Sequence, residues 1–136
     1  MKRCLIAALA ALTLSFSGSV NAAEFAAAVV FDMGGKFDKS FNQAAYAGAE
    51  RFKKETGVVY REFEVTSPTQ REQAIRNMAR RGATVVVGIG FAQAAAVEKV
   101  AKEFPKTKFA LIDGVVDLPN VRSIVFKEHE GSFLVG

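Results

Sequence analysis

Short apolar segments alternate along the chain with longer stretches whose apolar residues recur at helical spacing. The apolar segments predict five β-strands, at residues 25–31, 58–64, 83–87, 108–113 and 121–126. The stretches between them predict helices at residues 40–56, 66–81 and 92–104, and a further helix starts near residue 131. Alternation of this kind is typical of a parallel sheet with helices on both faces, so we predict a three-layer α/β fold.

The strands differ in the charge that they carry. Residues 25–31 and 83–87 are continuous or β-branched apolar runs, which suit strands buried on both faces of a parallel sheet. Residues 58–64 mix apolar side chains with acidic and basic ones, so we expect this strand at an edge of the sheet.

The segment that follows the first strand groups several side chains that can contact a ligand. It contains Asp32, a Gly-Gly pair, and then Phe41 and Asn42 at the start of the next helix. The loops at the carboxyl ends of parallel strands line the ligand crevice in open α/β folds, so this loop is the leading candidate site. Simpler roles are open for each residue: Asp38 or Ser40 as a helix N-cap, the glycines as a turn, and Phe41 as a core residue.

A second acid, Asp113, ends the fourth strand, and Gly90 follows the third. Because the strands of a parallel sheet point the same way, we expect Asp32, Gly90 and Asp113 at one edge of the sheet. Carboxylates there can accept hydrogen bonds from sugar hydroxyls or ring N–H groups, and a glycine either admits a ligand close to the backbone or simply turns the chain.

Two carboxylates also suit acid–base catalysis or a divalent cation, but no partnered nucleophile and no third acid accompanies them. We therefore favour binding without chemistry and predict no metal site and no cofactor.

Aromatic and amide groups next to the first acid suit a flat ligand. Phe41 offers an apolar face, and Asn42 offers an amide that both donates and accepts hydrogen bonds, which together suit a heteroaromatic base. Tyr46 lies one helical turn after Asn42 and either borders the same site or packs in the core.

Three further features give little support for phosphate, dinucleotide or metal binding. The Gly-Gly-Lys run at 34–36 lacks the spacing of a phosphate loop, and Asp32 and Asp38 beside it would repel an anion. The Gly-Ile-Gly run at 88–90 lacks the third glycine of a dinucleotide fingerprint. His129, the single histidine, is flanked by two glutamates and is expected to be solvated.

Residues 1–22 have the features of a cleaved secretory signal: a basic start, an apolar core and a small-residue cleavage site. The single cysteine, Cys4, precedes the apolar core and so lies outside the position of a lipid acceptor, which predicts a freely diffusing periplasmic protein without disulfides. Loss of Lys2 and Arg3 leaves 16 basic and 14 acidic side chains, interspersed as on solvated helices, which disfavours nucleic-acid binding. Residues 23–136 are enough for one small domain.

Two signatures stand out at the loops described above. One is Asp-Met-Gly-Gly-Lys-Phe-Asp-Lys-Ser-Phe-Asn-Gln at residues 32–43, and the other is Phe-Ala-Leu-Ile-Asp-Gly-Val-Val-Asp at residues 109–117, continued at 119–121 and 126–134. Together they resemble the basic membrane protein family, whose best-described members are purine-nucleoside-binding lipoproteins of bacterial ABC importers. The two signatures occur in the expected order and span nearly all of residues 23–136.

The resemblance implies the Rossmann-like amino-terminal lobe of a type I periplasmic binding protein, with the second lobe absent from this sequence. It implies that Phe41 stacks on a purine base, that Asn42 and Asp32 lie near the base, and that Asp113 holds the ribose hydroxyls. The ligand would bind between the two lobes of a monomer, which closes about a hinge and delivers it to an ABC permease and its ATPase at the inner membrane.

Three other functions are left open by the sequence. The same scaffold could hold a sugar, a nucleobase or a signal molecule. It could also serve as a sensory domain without a permease. A nucleoside hydrolase would need a cluster of Asp or His side chains that the sequence does not display.

Overall fold

The computed structural model describes residues 25–136, and the predicted signal at residues 1–22 lies outside that range. The strands are β1 (Ala27–Phe31), β2 (Tyr60–Glu64), β3 (Val85–Ile89), β4 (Lys108–Ile112) and β5 (Val121–Ile124). The helices are α1 (Phe41–Thr56), α2 (Gln70–Arg80), α3 (Ala94–Glu103) and α4 (Glu128–Val135), with a 3-10 turn at Phe91–Gln93 before α3. No helix in the described range is both long enough and apolar enough to cross a membrane.

The five strands form one sheet in the order β2-β1-β3-β4-β5, and every neighbouring pair is parallel. The predicted α/β class and parallel sheet are confirmed, as is the edge position of β2. Successive residues of β1 face opposite sides of the sheet: Ala28 and Val30 pack against α2 and α3, whereas Val29 and Phe31 face α1. The strand alternation therefore separates two apolar layers, and the larger one lies under α2 and α3.

The third strand lies two residues later than predicted, at Val85–Ile89 in place of residues 83–87. Thr84 lies just before the strand, and its hydroxyl bonds the backbone N–H and carbonyl of Ala26, the residue before β1. At the other end the strand continues through Gly88, where a Cβ would lie 3.3 Å from Val97. This glycine permits the close approach of α3 and does not end the strand.

Other element bounds differ from the prediction for identifiable reasons. β1 and β2 each begin two residues late because their pairing starts at Ala27 and Tyr60. The helix predicted from residue 66 begins at Gln70, because Ser67 and Pro68 form a turn that precedes it. The strand predicted to end at residue 126 stops at Ile124.

Gln93 is fully buried and joins β1 to β3 where these strands begin to separate. The last paired residues of the two strands are Val30 and Gly88. Beyond that point the Gln93 Nε2 donates to the carbonyl oxygens of Val30 and Ile89, both at 2.9 Å. The side chain thus supplies the donors that the separating backbones lack. Sequence patterns do not identify it, because one acceptor lies 63 positions away.

Asn120, predicted as a turn residue, is buried and closes the carboxyl end of α3. Its Nδ2 donates to the carbonyl oxygens of Ala101, Phe104 and Thr107 at 3.0 to 3.2 Å. The last carbonyls of a helix lack partners within the helix, so this amide supplies the missing donor.

Replacement of Gln93 by methionine should lower the free energy of unfolding by about 2 kcal/mol, because it leaves two buried carbonyls without donors. Urea denaturation followed by far-UV circular dichroism measures the change. The matched control is Gln73→Met on α2, an exposed glutamine bonded to Asn77, where the expected change is below about 0.5 kcal/mol. Equal effects of the two substitutions would contradict the bridging role of Gln93.

Candidate functional site

The carboxyl ends of β1, β3 and β4 lie side by side at one edge of the sheet, followed by Asp32, Gly90 and Asp113. The chain leaves β1 towards β2 on one side and leaves β3 towards β4 on the other. In open parallel sheets a reversal of this kind leaves a crevice between the two loops. Gly90 has φ +100°, and a Cβ on it would lie 3.4 Å from Asp32 Oδ2. The glycine therefore keeps open the space beside the first acid.

The Asp32 carboxylate is held by an arginine from α2. Arg71 brings its Nε and its Nη2 to the same oxygen of Asp32, Oδ1, each at 2.9 Å. The side chains are 15% and 18% exposed, so the ion pair is largely removed from solvent. Sequence analysis did not identify Arg71, since a pair 39 residues apart becomes visible only when α2 crosses the end of β1.

Asn42 is buried and organises the loop between β1 and α1. Its Oδ1 accepts the N–H of Asp32 at 3.1 Å. Its Nδ2 donates to Asp38 Oδ2 at 3.1 Å and lies 3.4 Å from the carbonyl oxygens of Asp32 and Met33. Asn42 therefore lies in the predicted site, but its hydrogen-bonding groups fix the shape of the loop.

Asp38 caps the N-terminus of α1, a role that the sequence left open for either Asp38 or Ser40. Its Oδ1 accepts the backbone N–H groups of Ser40 and Gln43, at 2.8 and 3.1 Å, and its Oδ2 accepts that of Asn42 at 3.1 Å. Desolvation acts to raise the pKa of the Asp38 carboxyl, but these N–H groups outweigh it and hold the pKa below its ordinary value of 3.8. Ser40 makes no side-chain cap.

Lys36 fastens the same loop to the edge strand β2. Its backbone N–H donates to Glu64 at 2.9 Å, and its ammonium pairs with Glu62. The ammonium also lies 5.1 Å from the ring centre of Tyr46 and 5.5 Å from that of Phe37. The hydrogen bond to Glu62 raises the pKa of Lys36. This lysine is engaged within the protein, which agrees with the rejection of a phosphate loop.

The two predicted aromatic residues have different surroundings. Phe41 is 37% exposed at the first turn of α1, and its ring meets that of Phe126 edge to face, with centres 6.3 Å apart. Tyr46 is half-buried and packs against Phe31 and Phe37, with centres 6.3 and 5.3 Å apart. Phe41 is thus available for contact with another molecule, whereas Tyr46 packs within the lobe.

An apolar groove of about 850 Å³ runs between α1 and the sheet. Val29, Val87 and Ile89 line its floor, and Phe41 and Phe126 lie on its lining as well. Its walls contribute few polar groups, so it cannot fix the orientation of a polar ligand. The groups able to do so lie at the strand ends, which we take as the functional site in preference to the groove.

Asp113 has a left-handed backbone with φ +66°, uncommon for a residue other than glycine. Its N–H donates to the carbonyl of Ile124 at 2.7 Å, and the next residue, Gly114, is confined because a Cβ there would lie 2.8 Å from Leu111. The Asp113 carboxylate accepts no hydrogen bond from residues 25–136. A strained backbone therefore presents an unpaired acid at the edge of the sheet, a combination that is frequent in functional sites.

No group of three or more His, Cys, Asp or Glu side chains within residues 25–136 is arranged to hold a metal ion. His129 is exposed in α4, as predicted. The site defined by Asp32, Arg71, Gly90 and Asp113 therefore offers hydrogen bonds and charge, and it lacks a nucleophile with a partnered base.

The chain matches the family described as PnrA-like ABC transporter substrate-binding protein over residues 25–136. It belongs to this family, and the resemblance found in the sequence is confirmed. Members of the family bind substrates for transport and are not enzymes, in agreement with the prediction.

Relatives and solved structures give the same assignment. The chain is 34% identical over 125 residues to the ABC transporter nucleoside-binding protein BmpA of Lactococcus lactis, covering 88% of this chain and 35% of that protein. It is 40% identical over 115 residues to an uncharacterized lipoprotein of Pyrococcus furiosus, covering 80% and 28%. A crystal structure of an ABC transporter solute-binding protein from Aeropyrum pernix superposes with a TM-score of 0.76 at 36% identity, over 82% of this chain and 31% of that one. The chain thus spans about a third of the length of the curated relatives that it matches.

The cap formed by Asp38 predicts acid sensitivity of the loop. The pKa of Asp38 is lower in the folded protein than in the unfolded chain, so its stabilisation is complete above pH 3.8 and is lost as the pH falls below that value. Asp38→Asn should therefore be less stable than the parent at neutral pH, and the difference should shrink in acid. Urea denaturation between pH 2.5 and 7 measures it. Asp117→Asn, at an exposed loop acid, is the control; a difference for Asp38→Asn that is constant with pH would contradict the role of its charge.

Proposed function

We propose that this chain is the amino-terminal lobe of a periplasmic substrate-binding protein that captures a purine nucleoside and delivers it to an ABC permease. The observation that carries the proposal is the unpaired Asp113 carboxylate, held by a left-handed backbone at the same sheet edge as Asp32 and Gly90. Membership of the substrate-binding family and similarity to a protein described as nucleoside-binding support it.

Each group at this edge suits one part of a nucleoside. The Asp113 carboxylate can accept two hydroxyl donors, which matches the vicinal hydroxyls of a ribose. The exposed ring of Phe41 provides a face on which a base can stack. Asn42 follows Phe41 in the chain and accepts the backbone N–H of Asp32. This hydrogen bond ties the backbone at Asp32 to the start of the helix that carries the Phe41 ring. These are direct hydrogen bonds and stacking, and no bond of the ligand is broken.

The mechanism follows from the geometry of a single lobe. Asp32 and Asp113 follow β1 and β4 at one edge of the sheet, so one lobe can surround a ligand on one side only. In the full-length protein a second lobe supplies the remaining contacts and closes over the ligand about a hinge. The permease then recognises the closed form, whose population rises with ligand.

The periplasm is the proposed location, and the protein is proposed to act there as a monomer. Residues 1–22 resemble a cleaved signal, and the single cysteine, Cys4, precedes the apolar core of that signal. A lipid anchor on this cysteine would need it after the core, so free diffusion of the mature protein is part of the proposal.

Removal of the Phe41 ring should weaken nucleoside binding by about 5- to 150-fold, because base–aromatic stacking contributes about 1–3 kcal/mol. Titration calorimetry of the full-length, signal-free protein with inosine, guanosine, adenosine, cytidine and ribose measures the affinities. Phe63→Ala is the matched control, since Phe63 is 38% exposed on the edge strand β2 and Phe41 is 37% exposed. Absence of heat with every purine nucleoside in folded, ligand-free protein would discard the nucleoside and leave the scaffold with another ligand.

Asp113→Gly should separate binding from stability. Glycine relieves the left-handed strain but adds freedom to the unfolded chain, and because these effects oppose each other we expect the free energy of unfolding to change by less than about 1 kcal/mol. Nucleoside affinity should fall by tenfold or more, because the ribose hydroxyls lose a charged acceptor. Calorimetry and urea denaturation on the same samples test both. Asp117→Gly is the control, and full affinity in Asp113→Gly would remove Asp113 from the site.

A further inference from the structure

The guanidinium of Arg71 lies at the crevice with more donors than its partner can use. Arg71 is the second residue of α2, whose first turn lies over the carboxyl end of β1. Its Nε donates to Asp32 Oδ1, and its Nη2 lies 2.9 Å from the same oxygen as part of the ion pair. A guanidinium carries five N–H groups, and the two on Nη1 meet no acceptor among residues 25–136.

The second oxygen of Asp32 is likewise open. No donor among the described residues reaches Oδ2, and Gly90 has no side chain to cover it, whereas a Cβ there would lie 3.4 Å from this oxygen. Both side chains of the pair are more than four-fifths buried. The open Oδ2 and the free N–H groups remain accessible to solvent, so a ligand that pairs with both replaces water with charge-assisted hydrogen bonds in a largely desolvated setting.

The arrangement therefore offers one acceptor beside several donors. The charge of Asp32 is balanced by Arg71, whereas Asp113 at the end of β4 has no cationic partner among residues 25–136. A phosphate or a carboxylate in the crevice would be repelled by Asp113, whereas a neutral ligand would not. The matching chemistry is a neutral ring that has an N–H next to a carbonyl oxygen.

Resting on the function proposed above, we propose that Arg71 determines specificity for 6-oxopurine nucleosides. Arg71 donates to the 6-carbonyl oxygen of the base, while Asp32 Oδ2 accepts the adjacent ring N–H. A carbonyl oxygen has two lone pairs and can accept two of the free N–H groups. Adenine offers a ring nitrogen with one lone pair at that edge, and its 6-amino group would confront further donors. Arg71 thus acts on the ligand directly and also holds Asp32 in place.

The decisive comparison uses inosine and purine riboside, which share the ribose and the stacking surface. Purine riboside lacks both the 6-carbonyl oxygen and the ring N–H. In the full-length protein inosine should bind at least about tenfold more tightly than purine riboside, and adenosine more weakly than inosine, because hydrogen bonds to charged groups are lost. In Arg71→Met the ratio of inosine to purine riboside affinity should fall towards one. Arg71→Lys should restore part of it.

Arg76→Met is the matched control. Arg76 lies on the same helix, is as buried as Arg71 and pairs with Glu72 and Glu103 on the outer surface. Its replacement disrupts a comparable ion pair away from the crevice. The ratio of inosine to purine riboside affinity should therefore stay at the value of the parent protein.

Several outcomes would overturn the proposal. If Arg71→Met weakens inosine and purine riboside by the same factor, Arg71 supports the fold alone. If the parent protein binds inosine and 1-methylinosine equally, the protein makes no hydrogen bond to the ring N–H. This measurement uses the parent protein alone and so needs no variant that might fail to fold. If the parent binds no purine nucleoside, the proposed function fails together with this inference, a result distinct from the loss of preference alone.

Discussion

Parallel pairing of β1 with β2 on one side and with β3 on the other is the constraint on which the rest of this lobe depends. It brings the carboxyl ends of three strands to one edge and forces the connections after β1 and β3 to leave in opposite directions. The strands separate at this point, and the amide of Gln93 spans the gap. The same separation that opens a crevice thus needs an internal bridge to remain stable.

Sequence alone predicted the parts that depend on local pattern. Apolar runs identified all five strands, and the position of Asp32 and Asp113 after two of them follows from the common direction of parallel strands. The limits of β3 were wrong because the predicted strand stopped before Gly88, although this glycine lies within the strand where α3 approaches the sheet. Arg71 could not be predicted, because its partner is distant in the sequence and polar surface residues of α2 look alike until the helix is placed.

The predicted site divides into groups that are satisfied within the protein and groups that are not. Asn42 was expected to meet a ligand, yet its amide is occupied by the backbone of its own loop and by Asp38. Periodicity cannot distinguish these roles, because an amide at the start of a helix suits both. The Asp113 carboxylate and the outer N–H groups of Arg71 have no partners in the described lobe. The satisfied groups fix the shape of the loop, and the others are the groups to which a binding role is proposed above.

The hydrogen-bonded loop between β1 and α1 has a kinetic consequence. Its backbone is already held by Asn42, Asp38 and Lys36, so a ligand that reaches it loses little conformational entropy on this side. We therefore expect the first encounter with this lobe to be limited by diffusion and not by ordering of the loop. Differences in affinity between ligands would then lie in how long each one remains bound before release.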